Sequence, residues 1–248
     1  MDLGTLKSKG LLGPLTAAPG LATAFPFGLG AQGLHEVAEA EYGDRAAATA
    51  FVLAAGQTTG QPTGKGVILW ISQSAFTQDM GALPETALRE MTGGRMRRLN
   101  LVTRQASEAL WAVEEAIVSR AVAHVIAEVE TADFTATRRL TLASGRYGVP
   151  VTLLLPYRCS GATAAATRWR IATRPSSPNL HDPMAPGRPR WRGLLERCRA
   201  APSAAGQSFD LEWNDETLSL GVVSGMAAGP VAPRPAPPRS AAAFRKTG

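Results

Sequence analysis

The residues of this chain whose types and spacing bear on chemistry begin with the run Glu41-Tyr42-Gly43-Asp44-Arg45-Ala46-Ala47-Ala48-Thr49. It follows the short apolar segment Leu34-His35-Glu36-Val37 and opens an alanine-rich one, the place where an α/β ATPase carries its phosphate-binding loop. Such a loop needs glycines so that backbone N–H groups converge on phosphate oxygens, a lysine for charge, and a Ser or Thr hydroxyl for magnesium. Across Gly43, Ala47, Ala48 and Thr49 only the threonine keeps such a role, and two anions, Glu41 and Asp44, stand where a polyphosphate would sit. Gln73 ends the apolar run Val67-Ile68-Leu69-Trp70-Ile71, where parallel strands place chemistry, but an uncharged amide cannot act as the general base that a carboxylate would provide. A second phosphate-loop imitation, Gly60-Gln61-Pro62-Thr63-Gly64-Lys65-Gly66, has one residue too few between its glycines and Gly66 where a hydroxyl is needed. It also precedes a strand instead of joining a strand to a helix, and it reads as a loop. No catalytic residue, cofactor or metal is expected.

The other chemistry-bearing residues are arginines on alternating segments. In Thr167-Arg168-Trp169-Arg170-Ile171-Ala172-Thr173-Arg174 the apolar Trp169 and Ile171 share one face while Arg168, Arg170 and Arg174 share the other. Arg188-Pro189-Arg190-Trp191-Arg192 alternates again, and Phe209-Asp210-Leu211-Glu212-Trp213 alternates with its acids outward. Two readings follow for Arg168, Arg170, Arg188, Arg190 and Arg192. They form a ladder facing single-stranded DNA, binding phosphate beside stacking tryptophans, or they pair across strands with Asp210 and Glu212. The triplet Arg95, Arg97 and Arg98 before Leu99–Val102 reads as a solvated loop.

The elements that must hold these residues are clearest between Ser107 and Pro156. Ser107 stands at a helix N-cap position with Glu108 in the first turn, and Leu110, Val113 and Ile117 repeat at helical spacing. Residues 121–129 form a strand buried on both faces. Asp133 caps a helix presenting Ala136, Leu140, Ala143 and Tyr147 on one side, Gly148 ends it, and Val151–Leu155 is another buried strand. Helix, strand, helix and strand with short joints imply parallel strands with crossover helices. Leu34–Val37 and Val67–Ile71 add strands, Arg45–Ala55 a helix, and residues 79–98 some further helix. Asn214–Thr217 is a turn whose partner strands are Phe209–Trp213 and Leu218–Val222. The expected fold class is α/β, a mostly parallel sheet flanked by helices with an antiparallel C-terminal extension.

Length and composition bound the rest. The 248 residues, 45% hydrophobic and 19% charged, suffice for one substantial core. Residues 1–33 are rich in Gly, Pro and Ala and read as a flexible leader, residues 34–225 as one domain, and residues 226–248 as a disordered Pro/Ala-rich tail. That tail carries four basic residues and no acidic one, a large share of the formal charge of +6, so the pI of about 9.9 does not describe the core. Cys159 and Cys198 give neither metal spacing nor a disulfide framework, which suits the reducing cytoplasm. No apolar run approaches a membrane span. Gly10, Gly13, Pro14 and Gly20 break the helix a signal peptide would need.

Taken together, Leu34-His35-Glu36-Val37, Leu69-Trp70-Ile71, Ala109-Leu110-Trp111-Ala112-Val113-Glu114-Glu115-Ala116, Asp133-Phe134-Thr135-Ala136-Thr137-Arg138-Arg139-Leu140, Ala165-Ala166-Thr167-Arg168-Trp169-Arg170 and Gly187-Arg188-Pro189-Arg190-Trp191-Arg192 resemble the ImuA family of the alphaproteobacterial type. The similarity runs over residues 24–225. It implies a RecA-like core and a role in SOS-induced mutagenesis and translesion synthesis beside an ImuB-like protein and an error-prone DnaE-type polymerase; RecA itself and single-stranded DNA are further candidate partners. On the RecA pattern, Gly43–Thr49 falls at the phosphate loop, Gln73 near the catalytic glutamate, and residues 121–129, within which Glu128 is the only acid, on the strand ending at the magnesium-side acid. The chain departs from the family where Phe25-Pro26-Phe27-Gly28-Leu29 runs almost directly into Gly33-Leu34-His35-Glu36.

Three functional readings are weighed: a non-catalytic adaptor, a divergent DNA-dependent ATPase in which Arg45 replaces the lysine and Gln73 positions water, and a DNA-binding module that works without ATP. The last predicts steeply salt-dependent binding to single-stranded DNA, abolished by Arg168→Glu with Arg190→Glu; binding that survives both changes removes that reading.

Overall fold

The computed structural model describes residues 24–58, 66–94, 96–179 and 181–223. The second phosphate-loop imitation (residues 60–65), Arg95 and the tail 226–248 lie outside the described residues. Among the described residues the chain forms one nine-stranded sheet in the order β3-β2-β4-β5-β1-β6-β7-β8-β9. The strands are β1 Leu34–Glu39, β2 Val67–Gln73, β3 Arg97–Thr103, β4 His124–Glu128, β5 Val151–Leu155, β6 Thr167–Arg174, β7 Arg190–Cys198, β8 Ser208–Asn214 and β9 Ser219–Val222. From β3 to β6 neighbouring strands run parallel; β6 to β9 are antiparallel. Among the described residues five α-helices flank the sheet: α1 Arg45–Thr58, α2 Ser74–Met80, α3 Glu85–Thr92, α4 Ala106–Ser119 and α5 Phe134–Tyr147. The α/β class with an antiparallel extension is the one the sequence predicts.

The central strands are apolar because both faces are covered. On one face α4 and α5 bury Leu34, Ile71, Val125, Leu153 and Leu155; on the other α1 covers Val37, Ile126 and Leu154 and continues over β6 to β9. Trp169 lies at the centre of that second layer, fully buried against Phe51 (ring centroids 5.3 Å apart), Phe209 (5.7 Å) and Phe25 (5.9 Å). Residues 24–33, read as leader, form turns instead of helix or strand, yet their Phe27 and Leu29 are buried in this core. Aromatic and leucine side chains can enter a core from a turn, and periodicity gives no sign of it.

Local signals explain most boundaries. Asp133 Oδ1 accepts from Ala136 N at 2.7 Å to start α5, and Gly148, with φ of 74°, ends it. Helix α4 begins two positions earlier than an N-cap at Ser107 would have it. Gln105 is its N-cap, and Glu108 reaches back to accept from the backbone N–H of Gln105 (3.2 Å) and of Arg104 (3.0 Å). Arg97 and Arg98 belong to β3 instead of a loop, and Arg98 donates to Glu85 on α3 at 3.1 Å.

At the amino end of the sheet two histidines are buried. His35 Nε2 donates to the Gln32 carbonyl at 2.8 Å, so its Nδ1 accepts from the Thr167 hydroxyl at 2.7 Å; His124 Nε2 lies 3.0 Å from Thr152 Oγ1. Burial lowers His35 to about 4, and burial together with His35 lowers His124 to about 3. In the unfolded chain both take up a proton near 6.5, so the unfolded state binds more protons below that pH. Their contribution is complete above 6.5 and is lost as pH falls toward 4 and 3. The expected loss is about 2 kcal/mol per histidine at pH 5. Urea unfolding between pH 7.5 and 5 measures it, and His124→Gln reduces the slope; an unchanged slope contradicts the assignment.

Candidate functional site at the carboxyl ends of the parallel strands

The carboxyl ends of β1, β2, β4 and β5 converge on a cleft of about 570 Å³ lined by Glu39, Tyr42, Phe76, Asp79, Glu130 and Tyr157 among others. This is the end of a parallel sheet at which ligands bind. Between β1 and α1 the chain turns through Tyr42, Gly43 and Asp44. Gly43 has φ of 101°, a conformation that favours glycine, and nothing lies within 4 Å of where its Cβ would be. Asp44 holds the turn, accepting from Glu41 N at 3.1 Å and from Thr173 N of β6 at 2.9 Å. Ala47, Ala48 and Thr49 are buried in α1, with Thr49 only 6% exposed.

Arg45, the first residue of α1, lies beneath the cleft lining, against Glu39 and Phe76. It is 6% exposed, its Nε lies 3.1 Å from Glu39 Oε1, and the Phe76 ring covers the guanidinium at 4.2 Å. None of its three guanidinium nitrogens has a hydrogen-bond partner, so the Glu39 contact is an ion pair without hydrogen-bond geometry. Burial lowers the pKa of Arg45, opposed by Glu128 and Glu39. Burial likewise pushes the Glu39 carboxyl above the usual carboxylate range, with Arg45 opposing and Asp44 reinforcing the shift. The cation weighed as a phosphate-loop lysine is thus committed to an internal pair under an aromatic ring.

Gln73 sits at the carboxyl end of β2, as read, and is 6% exposed. Its Oε1 accepts from Glu130 N at 3.0 Å, and Ser72 Oγ donates to Glu128 Oε2 at 2.6 Å. The first ties β2 to the segment after β4, the second to β4 itself. Among the described residues no group of His, Cys, Asp and Glu could hold a metal ion, and no helix is long and apolar enough to cross a membrane.

Four of the five arginines lie on β6 and β7 and Arg188 just precedes β7, and their environments differ. Arg168 is 7% exposed; it donates to Glu36 Oε2 at 2.6 Å and to the Gly161 carbonyl at 2.7 Å. Arg170 donates to Glu196 at 2.5 Å and to the carbonyls of Glu39, Tyr157 and Cys159 at 3.0, 2.9 and 3.1 Å. Further out, Arg190 pairs with Glu212 at 2.6 Å, Arg192 with Asp210 at 2.9 Å, and Arg188 with Glu216 at 3.4 Å. Arg168→Glu would therefore put a carboxylate beside buried Glu36, so loss of DNA binding in that variant would report on folding as well as contact.

No protein-family model matches the chain. Protein ImuA of Caulobacter vibrioides, in strains NA1000 / CB15N and ATCC 19089 / CIP 103742 / CB 15, is 36% identical to it over 197 residues, 73% of this chain and 76% of that protein. The chain belongs to the ImuA family.

In this ImuA-family protein the pair beneath the cleft lining has a measurable signature. Removing one partner of a buried ion pair leaves the other uncompensated, at a cost of about 3–5 kcal/mol, whereas replacing both by apolar groups is often neutral. Arg45→Met is expected to lower stability by that order, and Arg45→Met with Glu39→Leu to recover most of the loss. A double variant as unstable as the single one contradicts a pairwise role.

Proposed function

We propose that this protein is a non-catalytic, RecA-like accessory factor of DNA-damage-induced mutagenesis. It acts in the cytoplasm beside an ImuB-like protein and an error-prone DnaE-type polymerase in SOS-induced translesion synthesis, with RecA as a further partner. Membership of the ImuA family supports the process. The observation that carries the non-catalytic part is the Arg45–Glu39 pair beneath Phe76. A cation that is to hold a polyphosphate must offer its donors to solvent, and this one is enclosed. Gln73 carries no base and spends its carbonyl oxygen on the Glu130 backbone.

An adaptor needs a contact surface, and the β3 side of the sheet supplies one. Among the described residues β3 has no neighbour on its outer side, and Leu99 (57%), Leu101 (38%) and Val102 (58%) are exposed there. An open apolar edge of this kind is a template for an added strand. Leu99→Lys with Val102→Glu is expected to weaken co-purification with an ImuB-like protein at least about tenfold, the loss of one modest anchor, with thermal stability unchanged. Undiminished co-purification moves the contact elsewhere.

Steady-state ATP hydrolysis with and without single-stranded DNA tests the catalytic question, using wild type, Arg45→Ala and Gln73→Ala. The expected result is no turnover in any of the three while the wild type unfolds cooperatively. DNA-stimulated turnover that Gln73→Ala abolishes would make this a divergent DNA-dependent ATPase.

A further inference from the structure

A second concavity, a groove of about 860 Å³, lies on the α1 face between α1, α3 and the far ends of β7 and β8. Small and aromatic side chains line it, Ala46 and Ala50 from α1 and Trp191 and Trp213 from the antiparallel strands. Its acids are Glu90, Glu212, Asp215 and Glu216, against one arginine, Arg188. Glu212 and Glu216 are engaged by Arg190 and Arg188. Glu90 and Asp215 are exposed and form no ion pair among the described residues, so they are the negative charges the rim presents. Tryptophan edges beside small residues suit a proline-rich segment, whose extended helix carries little conformational entropy to lose; exposed acids select one that is basic.

The chain itself contains such a segment. Pro230-Val231-Ala232-Pro233-Arg234-Pro235-Ala236-Pro237-Pro238-Arg239 has five prolines, two arginines and no acid. Its tether also fits. The last described residue, Val223, donates its N–H to the Asp210 carbonyl at 2.7 Å, which places the departing chain beside β8. Asp210 lies three positions before Trp213 along β8, about 10 Å at the rise of a strand. Pro230 follows Val223 by seven positions, a reach of up to about 23 Å. We propose that residues 230–239 dock in this groove of their own chain as a polyproline II segment, with Arg234 and Arg239 facing Glu90 and Asp215. The groove is then an intramolecular docking site for the basic tail.

Heteronuclear relaxation of the full chain at low ionic strength tests this through the amides of Val231, Ala232, Arg234, Ala236 and Arg239. The expected steady-state NOE ratios approach those of the sheet and fall to coil values in Glu90→Lys with Asp215→Lys. They fall equally in Arg234→Glu with Arg239→Glu, and return when the two charge reversals are combined. Glu90 and Asp215 are exposed, and unchanged sheet resonances verify the fold of each variant. Coil-like ratios in the wild type, ratios indifferent to both reversals, or rigidity that disappears on dilution, the mark of a second copy, would each overturn the proposal.

Discussion

The join between the parallel and antiparallel parts of the sheet depends on one buried ion pair. Glu36 of β1 is fully buried, and Arg168 of β6 stands opposite it in register. Taking two such charges out of water is costly unless their remaining hydrogen-bonding capacity is used. Here it is used: Thr163 Oγ1 donates to the second Glu36 oxygen at 2.7 Å, and Arg168 also donates to the Gly161 carbonyl. The pair therefore fixes the register of β6 on β1 and at the same time pins the loop that covers it. The register of β6 against β7 shifts between Arg168 and Trp169, so the irregularity falls at the residue that turns from the ion pair to the aromatic core. Strands β7 to β9 are built outward from there.

Much of this fold was legible because its signals are local. The limits of β5 agree with the apolar run Val151–Leu155, and the caps of α5, Asp133 and Gly148, are where the sequence places them. The alternating C-terminal strands have the pairing that alternation implies, with Arg190 opposite Glu212 and Arg192 opposite Asp210. What was not legible depends on distant neighbours. Arg97 and Arg98 look like a solvated loop because nothing in their own sequence announces Glu85 or the parallel partner β2. Phe25, Phe27 and Leu29 lack any period, and only the presence of Trp169 and Phe209 gives them a place in the core.

The candidate site divides in the same way. Alternation correctly assigns Arg168 and Arg170 to the face opposite Trp169, but it cannot say how deep that face lies. Beyond β6 the same face is open and carries exposed pairs; at β6 it is roofed by residues 156–166 and the arginines become internal. Position along the strand order, not side-chain pattern, separates Arg168 from Arg192. Sequence also places Arg45 and Gln73 at the carboxyl ends of the strands, but the Phe76 ring that closes over Arg45 is contributed by a different element. A lone phenylalanine in a short helix gives no signal of that role.

The interdependence of Glu39, Arg45 and Phe76 also shapes how this protein can vary through descent. A lysine or glycine introduced singly into the β1–α1 turn leaves the enclosed trio intact beneath it, and a single change within the trio strands a charge or uncovers one. Folded proteins hold only about 5–15 kcal/mol in reserve, so such intermediates are poorly tolerated. The neighbouring sequence space in which this cleft could acquire a phosphate-binding loop is reached only by concerted changes. The three residues together hold the cleft in its enclosed form against single changes.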